Sequence, residues 1–304
     1  MRCETHAMAD LLRRRPNGPA RFRELLAAGD GPILLPGCYD ALGARLIEQA
    51  GFDVVYMTGF GTAASLLGRP DVGLLGLSEM ADNARRIVAA TDLPVIADAD
   101  TGYGNQINAI RTVQVYEQAG VSGIHIEDQL LPKKCGHMEG KVVVPRDEFV
   151  AKIAAAVEAR QNPDFVVIAR TDARAPHGLD DALDRGRAAH EAGADALFVE
   201  ALQSPSELET VASELSGLPL VFNWAEGGKT PPLTLAEITE LGFAMIIMPI
   251  STLFAATRAM QEVLRQIKAD GTPVNAVKAM PGFDEFTDTI GLPEILDLEE
   301  RFSG

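Results

Sequence analysis

The sequence alternates short, apolar, β-branched segments with longer segments of helical pattern, and it does so eight times. The predicted strands are residues 33–36, 54–57, 94–98, 123–127, 165–170, 196–200, 220–223 and 244–249. Two of the intervening segments, residues 106–119 and 179–192, have helical length and precede a glycine, as helix C-termini commonly do. The alternation predicts an α/β protein with a parallel sheet. Eight units with continuously apolar strands favour closure into a TIM (β/α)8 barrel over an open doubly wound sheet.

The length of the chain fits one such barrel. The 304 residues, 47% of them apolar, can bury a large core. We therefore expect a single barrel domain over residues 1–304. Within it, about residues 1–20 form an N-terminal tail and helix, and about residues 250–304 form a C-terminal helical segment.

Charge and cysteine content narrow the classes of partner. A formal net charge of −16 disfavours binding to nucleic acid or to a membrane surface, and an anionic substrate would need positive charge within its own site. No segment is long and apolar enough to predict a membrane span, and no apolar stretch follows Arg13 to Arg15 as in a secretion signal. Cys3, Cys38 and Cys135 form no paired framework, which is typical of a reducing cytoplasm.

Polar side chains stand at the ends of five consecutive predicted strands. They are Asp98, Asp100, Glu127, Asp128, Arg170, Asp172, Glu200, Asn223 and Glu226. Any one of them would be explained as a helix N-cap or loop residue. Because active sites of β/α barrels lie at the carboxyl ends of the strands, the whole set predicts a catalytic pocket there.

Asp98 and Asp100 alternate along one strand, so both carboxylates are predicted to point into the barrel mouth, and Glu127 follows the next strand. Unpaired carboxylates this close would repel each other, which makes a hard divalent cation their natural partner. We predict Mg²⁺, or Mn²⁺ in its place, at Asp98, Asp100 and Glu127. The alternative is an ion-pair network between the aspartates and Arg170, with no metal.

The loop after the fourth strand carries a second group of reactive residues. Lys133, Lys134 and His137 flank Cys135, and a positive potential there would favour the thiolate and make Cys135 a competent acid, base or nucleophile.

Together these segments resemble the isocitrate lyase and phosphoenolpyruvate mutase superfamily. The resemblance rests on Asp-Ala-Asp-Thr-Gly-Tyr-Gly-Asn at 98–105, Ile-Glu-Asp-Gln at 126–129, Pro-Lys-Lys-Cys-Gly-His at 132–137 and Asn-Trp-Ala-Glu-Gly-Gly-Lys-Thr-Pro at 223–231. Shorter matches occur at 39–41, 56–59, 70–71, 169–173 and 199–201. Within this superfamily, the chain resembles the dimethylmalate lyase, petal death protein, methylisocitrate lyase and carboxyphosphonoenolpyruvate phosphonomutase branches.

The resemblance implies a barrel that exchanges its last helix between subunits of a homotetramer, a dimer of dimers. It implies Asp100 as the direct Mg²⁺ ligand, with Asp71, Asp98 and Glu127 around the metal, mostly through waters. The implied substrate-binding residues are Tyr56, Thr58, Gly59, Phe60, Asp71, Gly136, Arg170, Asn223 and Glu226. The implied catalytic residues are Cys135, Lys133, Arg170, Glu200 and His137, with Cys135 on a mobile loop as general acid.

The resemblance also implies the chemistry. The expected activity is a Mg²⁺-dependent carbon–carbon lyase that cleaves a small 2-hydroxy dicarboxylate, of the substituted malate or methylisocitrate type, to a 2-oxo acid such as pyruvate. Met138, Glu139 and Trp224 depart from the methylisocitrate lyase pattern, which favours a substituted malate. Cys135 stands where phosphoenolpyruvate mutases usually have Asn. The alternatives are carboxyphosphonoenolpyruvate phosphonomutase, oxaloacetate hydrolase or decarboxylase, and a barrel that keeps the metal without the chemistry.

Overall fold

A computed structural model describes residues 11–12 and 16–303, and its centre is a sheet of eight parallel strands. The strands are β1 (Ile33–Cys38), β2 (Val55–Met57), β3 (Val95–Asp98), β4 (Gly123–Glu127), β5 (Val166–Thr171), β6 (Ala196–Val199), β7 (Val221–Asn223) and β8 (Met245–Met248). Each coincides with one predicted strand, with ends shifted by two residues or fewer. Seven of the strands are buried along almost their whole length, which explains their continuously apolar sequences.

The strands are hydrogen-bonded in the order β6-β5-β4-β3-β2-β1-β8-β7, and every pairing is parallel. A parallel bridge between Leu197 of β6 and Leu220, next to β7, joins the two edges of this sheet. The sheet is therefore closed into a barrel, and the predicted TIM barrel fold is confirmed.

Helices precede, connect and follow the strands. They are α1 (Gly18–Ala28), α2 (Ala41–Gln49), α3 (Gly59–Leu67), α4 (Leu77–Ala89), α5 (Gln106–Ala119), α6 (Arg146–Ala159), α7 (Arg174–His177), α8 (Leu179–Glu191), α9 (Pro205–Glu214), α10 (Leu235–Leu241), α11 (Ser251–Asp270), α12 (Phe283–Thr289) and α13 (Leu292–Phe302), with a 3-10 turn at Val277–Ala279. Helix α5 has the predicted bounds: Asn105 accepts hydrogen bonds from its first turn, and Gly120 ends it in the left-handed conformation.

Helix α1 closes the amino-terminal end of the barrel. Its Phe22 is fully buried and packs with side chains of the barrel interior, among them Leu35, Tyr56 and Phe198. Helix α1 spans Gly18–Ala28 and so continues past the boundary expected at about residue 20. The tail expected at residues 1–10 and 13–15 lies outside the described residues. With this end covered, access is left to the end at which the strands terminate.

Helices α11 to α13 bury little of their apolar surface within this chain. None of the three contains a fully buried residue. Their exposed apolar side chains include Phe254, Met260, Leu264, Phe283, Leu296 and Phe302. Exposed apolar surface of this extent is typical of a subunit interface, and the exchange of a C-terminal helix within a tetramer stays a prediction. Among the described residues, every helix is too short or too polar to cross a bilayer.

Candidate active site

A cavity of about 240 Å³ opens at the carboxyl ends of the strands, where the sequence places its polar residues. The predicted site residues that line it are Tyr56, Thr58, Phe60, Asp71, Asp98, Cys135, Gly136, His137, Arg170, Glu200, Asn223 and Glu226. These residues come from six of the eight strand-to-helix connections or strand ends, so closure of the barrel is what brings them together.

The other predicted site residues lie immediately behind the cavity wall. Asp100, Glu127 and Lys133 are each 5% exposed or less. Gly59 begins α3 against Asp98: a Cβ atom at this position would lie 2.5 Å from Asp98 Oδ2. A side chain at residue 59 would therefore displace that carboxylate, which explains a glycine at this point.

The buried carboxylates of Asp71, Asp98, Asp100 and Glu127 form one side of the site, which we call the acidic pole. Burial, aided by the negative charges of Asp98 and Asp71, raises the pKa of Asp100 to about 6, while burial raises the pKa of Glu127 well above its ordinary value. Among the described residues, no donor hydrogen-bonds to Glu127 Oε1, although this atom is buried. Buried carboxylates with raised pKa values, and with one oxygen atom that has no described donor, fit a divalent cation.

The predicted ligands Asp98, Asp100 and Glu127 do not form a ready-made cage. Within residues 11–12 and 16–303, no cluster of three or more His, Cys, Asp or Glu side chains is arranged to hold a metal ion by itself. Mg²⁺ commonly uses only one or two carboxylates and completes its shell with water and substrate oxygens. The donor set therefore fits Mg²⁺ or Mn²⁺, and the identity of the individual ligands stays a prediction.

Lys133 belongs to this acidic pole. Its ammonium group lies 2.6 Å from Asp71 Oδ1 and 2.6 Å from Asp100 Oδ1, and its side chain is 2% exposed. The contact joins the loop after β4 to the end of β3 and to the loop that carries Asp71. Lys133 therefore offsets the charge of these carboxylates and holds the loop against them.

Arg170 is surrounded by carboxylates, though not by those of the expected metal-free network. Its Nε lies 3.0 Å from Asp172 Oδ2 and 3.3 Å from Glu127 Oε2, and its Nη2 lies 3.2 Å from Glu200 Oε2. The ion pairs predicted with Asp98 and Asp100 are replaced by these three. Three fixed carboxylates orient the guanidinium group toward the cavity, where it offers positive charge to an anionic substrate.

The protonation state expected for Cys135 is wrong. Burial, followed by the negative charges of Asp71 and Glu200, raises the pKa of this thiol to about 11, so the thiol is neutral near pH 7. The neighbouring lysines do not offset this effect. Lys133 is engaged by Asp71 and Asp100, and the Lys134 ammonium donates to the carbonyl oxygens of Glu139 and Gly140 within its own loop.

His137 ties the Cys135 loop to the loop after β7. Its Nδ1 accepts a hydrogen bond of 3.1 Å from the backbone N–H of Lys229, and the Lys229 ammonium pairs with Glu139. His137 Nε2 lies 3.7 Å from Glu200 Oε1 and 3.3 Å from Asn223 Nδ2. Asn223 donates to the same carboxylate at 3.1 Å. The Cys135 loop is therefore seated on the pocket wall.

The amino terminus of α3 faces the cavity through Thr58 and Phe60. Thr58 is the N-cap, and its hydroxyl oxygen accepts a hydrogen bond from the backbone N–H of Gly61. The first N–H groups of a helix have no partner within it and bear partial positive charge, so this end suits a carboxylate. The geometry is compatible with the substrate-binding role predicted for Tyr56, Thr58, Gly59 and Phe60.

An apolar wall opposite the acidic pole was not predicted from the sequence. It consists of Met138, Ile247, Pro249, Ile250 and Phe254. The last four belong to the end of β8 and the start of α11. They carry no polar group, so a search for polar strand ends passes over them. Applying the same positional rule to apolar residues after the eighth strand would have found Pro249 and Ile250.

His125 and Cys38 do not line the cavity. His125 is buried in the barrel and hydrogen-bonds to the Tyr56 hydroxyl at 2.8 Å; burial lowers its pKa to about 4, so it is neutral. Cys38 is fully buried in the core.

Comparison with known proteins gives consistent similarities. A family model described as phosphoenolpyruvate phosphomutase matches residues 22–268. The chain is 47% identical over 287 residues to 2,3-dimethylmalate lyase of Eubacterium barkeri, covering 94% of this chain and 99% of that protein. It is 45% identical over 287 residues to the chloroplastic carboxyvinyl-carboxyphosphonate phosphorylmutase of Arabidopsis thaliana, covering 93% and 84% of the two chains.

Solved structures agree with the sequence comparisons. A crystal structure of 2,3-dimethylmalate lyase superposes with a TM-score of 0.90 at 41% identity, covering 96% of this chain and 97% of that one. A structure of oxaloacetate acetylhydrolase with 3,3-difluorooxalacetate superposes with a TM-score of 0.90 at 37% identity, covering 96% and 99%.

Proposed function

Because this chain belongs to the phosphoenolpyruvate mutase and isocitrate lyase superfamily, we propose that it is a divalent-metal-dependent carbon–carbon lyase acting on a 2-hydroxy dicarboxylate. The products would be a 2-oxo acid such as pyruvate and a second carboxylate. The observation that carries this proposal is the neutral Cys135 thiol in the wall of a cavity that has an acidic pole on one side and apolar residues on the other.

Carbon–carbon cleavage of such a substrate needs a proton donor at carbon. The 2-hydroxyl group loses its proton to the carboxylates of the acidic pole, C2 becomes a carbonyl carbon, and the electron pair of the broken bond passes to C3. The Cys135 thiol then donates its proton to C3 and becomes a thiolate, which regains a proton before the next turnover. A neutral thiol can act as this acid, whereas a thiolate cannot.

Other residues bind and orient the substrate. The amino terminus of α3 at Thr58 to Phe60 would bind one carboxylate, and Arg170 would face the developing negative charge. Asp100, with Asp98 and Glu127 nearby, would hold the divalent cation, which supplies Lewis-acid polarisation of the substrate oxygens when bound. The loop that carries Cys135 excludes water from the cavity and so protects the carbanion from bulk solvent.

The apolar wall indicates the kind of substrate. Pro249, Ile250 and Phe254 offer no partner for a third carboxylate, and they suit methyl or other small alkyl groups on the cleaved bond. We therefore propose an alkyl-substituted malate, as the name of the 2,3-dimethylmalate lyase relative also suggests.

Truncation of the apolar wall is expected to weaken this preference. For Phe254→Ala, the ratio of kcat/KM for 2,3-dimethylmalate to that for malate should fall about tenfold, because one methyl group in an apolar pocket is worth roughly 1–3 kcal/mol. Steady-state kinetics with both substrates measures the ratio. Phe283→Ala, which truncates an exposed phenylalanine of α12, is the control and should leave it unchanged. An unaltered ratio in Phe254→Ala would refute the role given to this wall.

The substrate assignment is tested by pyruvate formation coupled to NADH consumption. The panel is 2,3-dimethylmalate, 2-methylmalate, 2-methylisocitrate, isocitrate and oxaloacetate, each with Mg²⁺ or with Mn²⁺. We expect turnover of a substituted malate, loss of more than about 99% of it in excess EDTA, and recovery when Mg²⁺ is restored. Cleavage of oxaloacetate to oxalate and acetate, or phosphonate rearrangement detected by ³¹P NMR, would replace the lyase proposal with one of the two alternatives.

A further inference from the structure

Lys141 is a buried lysine on the loop that carries Cys135. Its side chain is 1% exposed, although it belongs to a connecting loop between β4 and α6. Lysine is almost never fully buried unless its ammonium group is paired, because removing an unpaired charge from water costs several kcal/mol. The ammonium group of the buried Lys141 is therefore expected to be paired.

Two oxygen atoms on different parts of the chain accept hydrogen bonds from this ammonium group. Lys141 Nζ donates to the carbonyl oxygen of Gly136 at 2.5 Å and to Asp172 Oδ1 at 2.7 Å. Gly136 directly follows Cys135 in the loop, whereas Asp172 lies at the end of β5 and is fully buried. The contact therefore joins the loop to the barrel.

Asp172 also accepts hydrogen bonds from Arg170, the arginine that lines the pocket. Its Oδ2 accepts a hydrogen bond of 3.0 Å from Arg170 Nε, and its Oδ1 accepts one of 3.3 Å from Arg170 Nη2. One carboxylate thus links the loop lysine and the pocket arginine. Although burial alone would raise the pKa of Asp172, Arg170 and Lys141 outweigh that effect and hold it well below its ordinary value.

We propose that Lys141 is a positioning residue whose ammonium group holds the Cys135 loop closed and, through Asp172, fixes Arg170 for the reaction. When the loop opens, the Lys141 ammonium leaves the interior, and Asp172 loses this ion pair but keeps its ion pair with Arg170. When the loop closes, the Lys141 ammonium pairs with Asp172 again and Gly136 packs against Arg170 and Glu200. Loop position and guanidinium orientation are therefore coupled through one buried carboxylate. The effect on turnover rests on the proposed lyase function, while the effect on closure does not.

The other lysines of the loop do not share this arrangement. Lys133 contacts the carboxylates of the acidic pole, Asp71 and Asp100. The Lys134 ammonium donates to the carbonyl oxygens of Glu139 and Gly140, which belong to the same loop. Lys134→Met is therefore a matched control for Lys141→Met: both remove one ammonium group from the same loop, but only the second removes a contact with the barrel.

Closure is measured by hydrogen exchange of the full-length protein without substrate. The Cys135 amide reports on the closed loop, because its N–H donates to the carbonyl oxygen of Asp71, which lies outside the loop. In Lys141→Met we expect exchange of peptides over residues 133–140 to be about ten- to a hundred-fold faster, since a buried ion pair is broken. Lys134→Met should exchange like the wild type, and so should peptides from α5 in every variant.

Conservative variants keep the test decisive. Lys141→Arg retains the positive charge and should restore most of the protection, whereas Lys141→Gln retains polarity without charge and should not. If Lys141→Met does not fold, Lys141→Gln carries the same comparison. Loop protection that is the same in the folded Met or Gln variant and in the wild type would overturn the proposal, whatever substrate the enzyme uses.

Turnover separates positioning from simple support of the fold. With the best substrate of the panel, Lys141→Met should lower kcat about a hundred-fold and change KM less, because the loop and Arg170 act after the substrate has bound. Lys141→Arg should recover kcat. A loss of kcat without faster exchange in the loop would mean that Lys141 acts otherwise, and would also overturn the proposal.

Discussion

Cys135→Ala is expected to lower kcat about a thousand-fold while the protein stays folded, since a positioned general acid contributes roughly 10²- to 10⁴-fold to a rate. Cys135→Ser should recover little, because a hydroxyl group is a far weaker acid than a thiol. The measurement is the pyruvate assay, with circular dichroism to verify folding. Cys38→Ala is the matched control: that thiol is buried in the core and does not line the cavity, so its removal should leave kcat near the wild-type value.

The raised pKa of Cys135 gives this prediction a second readout. A thiol with a pKa of about 11 is protonated at every pH well below that value and loses its proton only as the pH approaches it. Its ionisation should therefore produce no fall in kcat between pH 6 and pH 9. Alkylation of Cys135 by iodoacetamide at pH 8 should be on the order of a hundred-fold slower than that of free cysteine. Alkylation at the free-cysteine rate would refute the raised pKa, and full turnover by Cys135→Ala would refute the general-acid role.

Gly136→Ala is expected to lower kcat/KM about a hundred-fold, because it prevents the loop from seating. A Cβ atom at residue 136 would lie 2.6 Å from Arg170 Nη2 and 2.6 Å from the Glu200 carboxyl carbon. Relieving that overlap requires either the loop or the ion pair to move, and overpacking of this kind typically costs about 1–3 kcal/mol. A displacement near 1 Å in an active site can lower the rate about a hundred-fold.

The assay and a thermal unfolding curve check this second prediction together. The midpoint of unfolding should change little, because the clash is relieved by an open loop and not by a disrupted barrel. Gly282→Ala, outside the site and with no described heavy atom within 4 Å of the added Cβ, should match the wild type in both measurements. A Gly136→Ala enzyme with normal kcat/KM would show that the loop does not need this close approach.

Much of the fold follows from local patterns in the chain. Short apolar segments, helix caps such as Asn105 and terminal glycines such as Gly120 act over a few residues, so they can be recognised without knowledge of distant contacts. The barrel places all strand ends on one face, and for that reason Asp98, Arg170 and Asn223 could be assigned to one pocket from their positions alone. Helix α1 continues past the boundary expected at about residue 20, and its Phe22 packs against barrel side chains that are distant in the chain.

The sequence by itself determined the eight-unit barrel and the polar residues at its mouth, since both depend on periodicity and on position within each unit. Only the tertiary structure decided the charge state of Cys135, because its pKa depends on burial and on Asp71 and Glu200, which are distant in the chain. It also decided the partners of Lys141 and the apolar wall after β8. Burial and Coulomb interactions depend on distances in space, and these are set by the closed barrel as a whole.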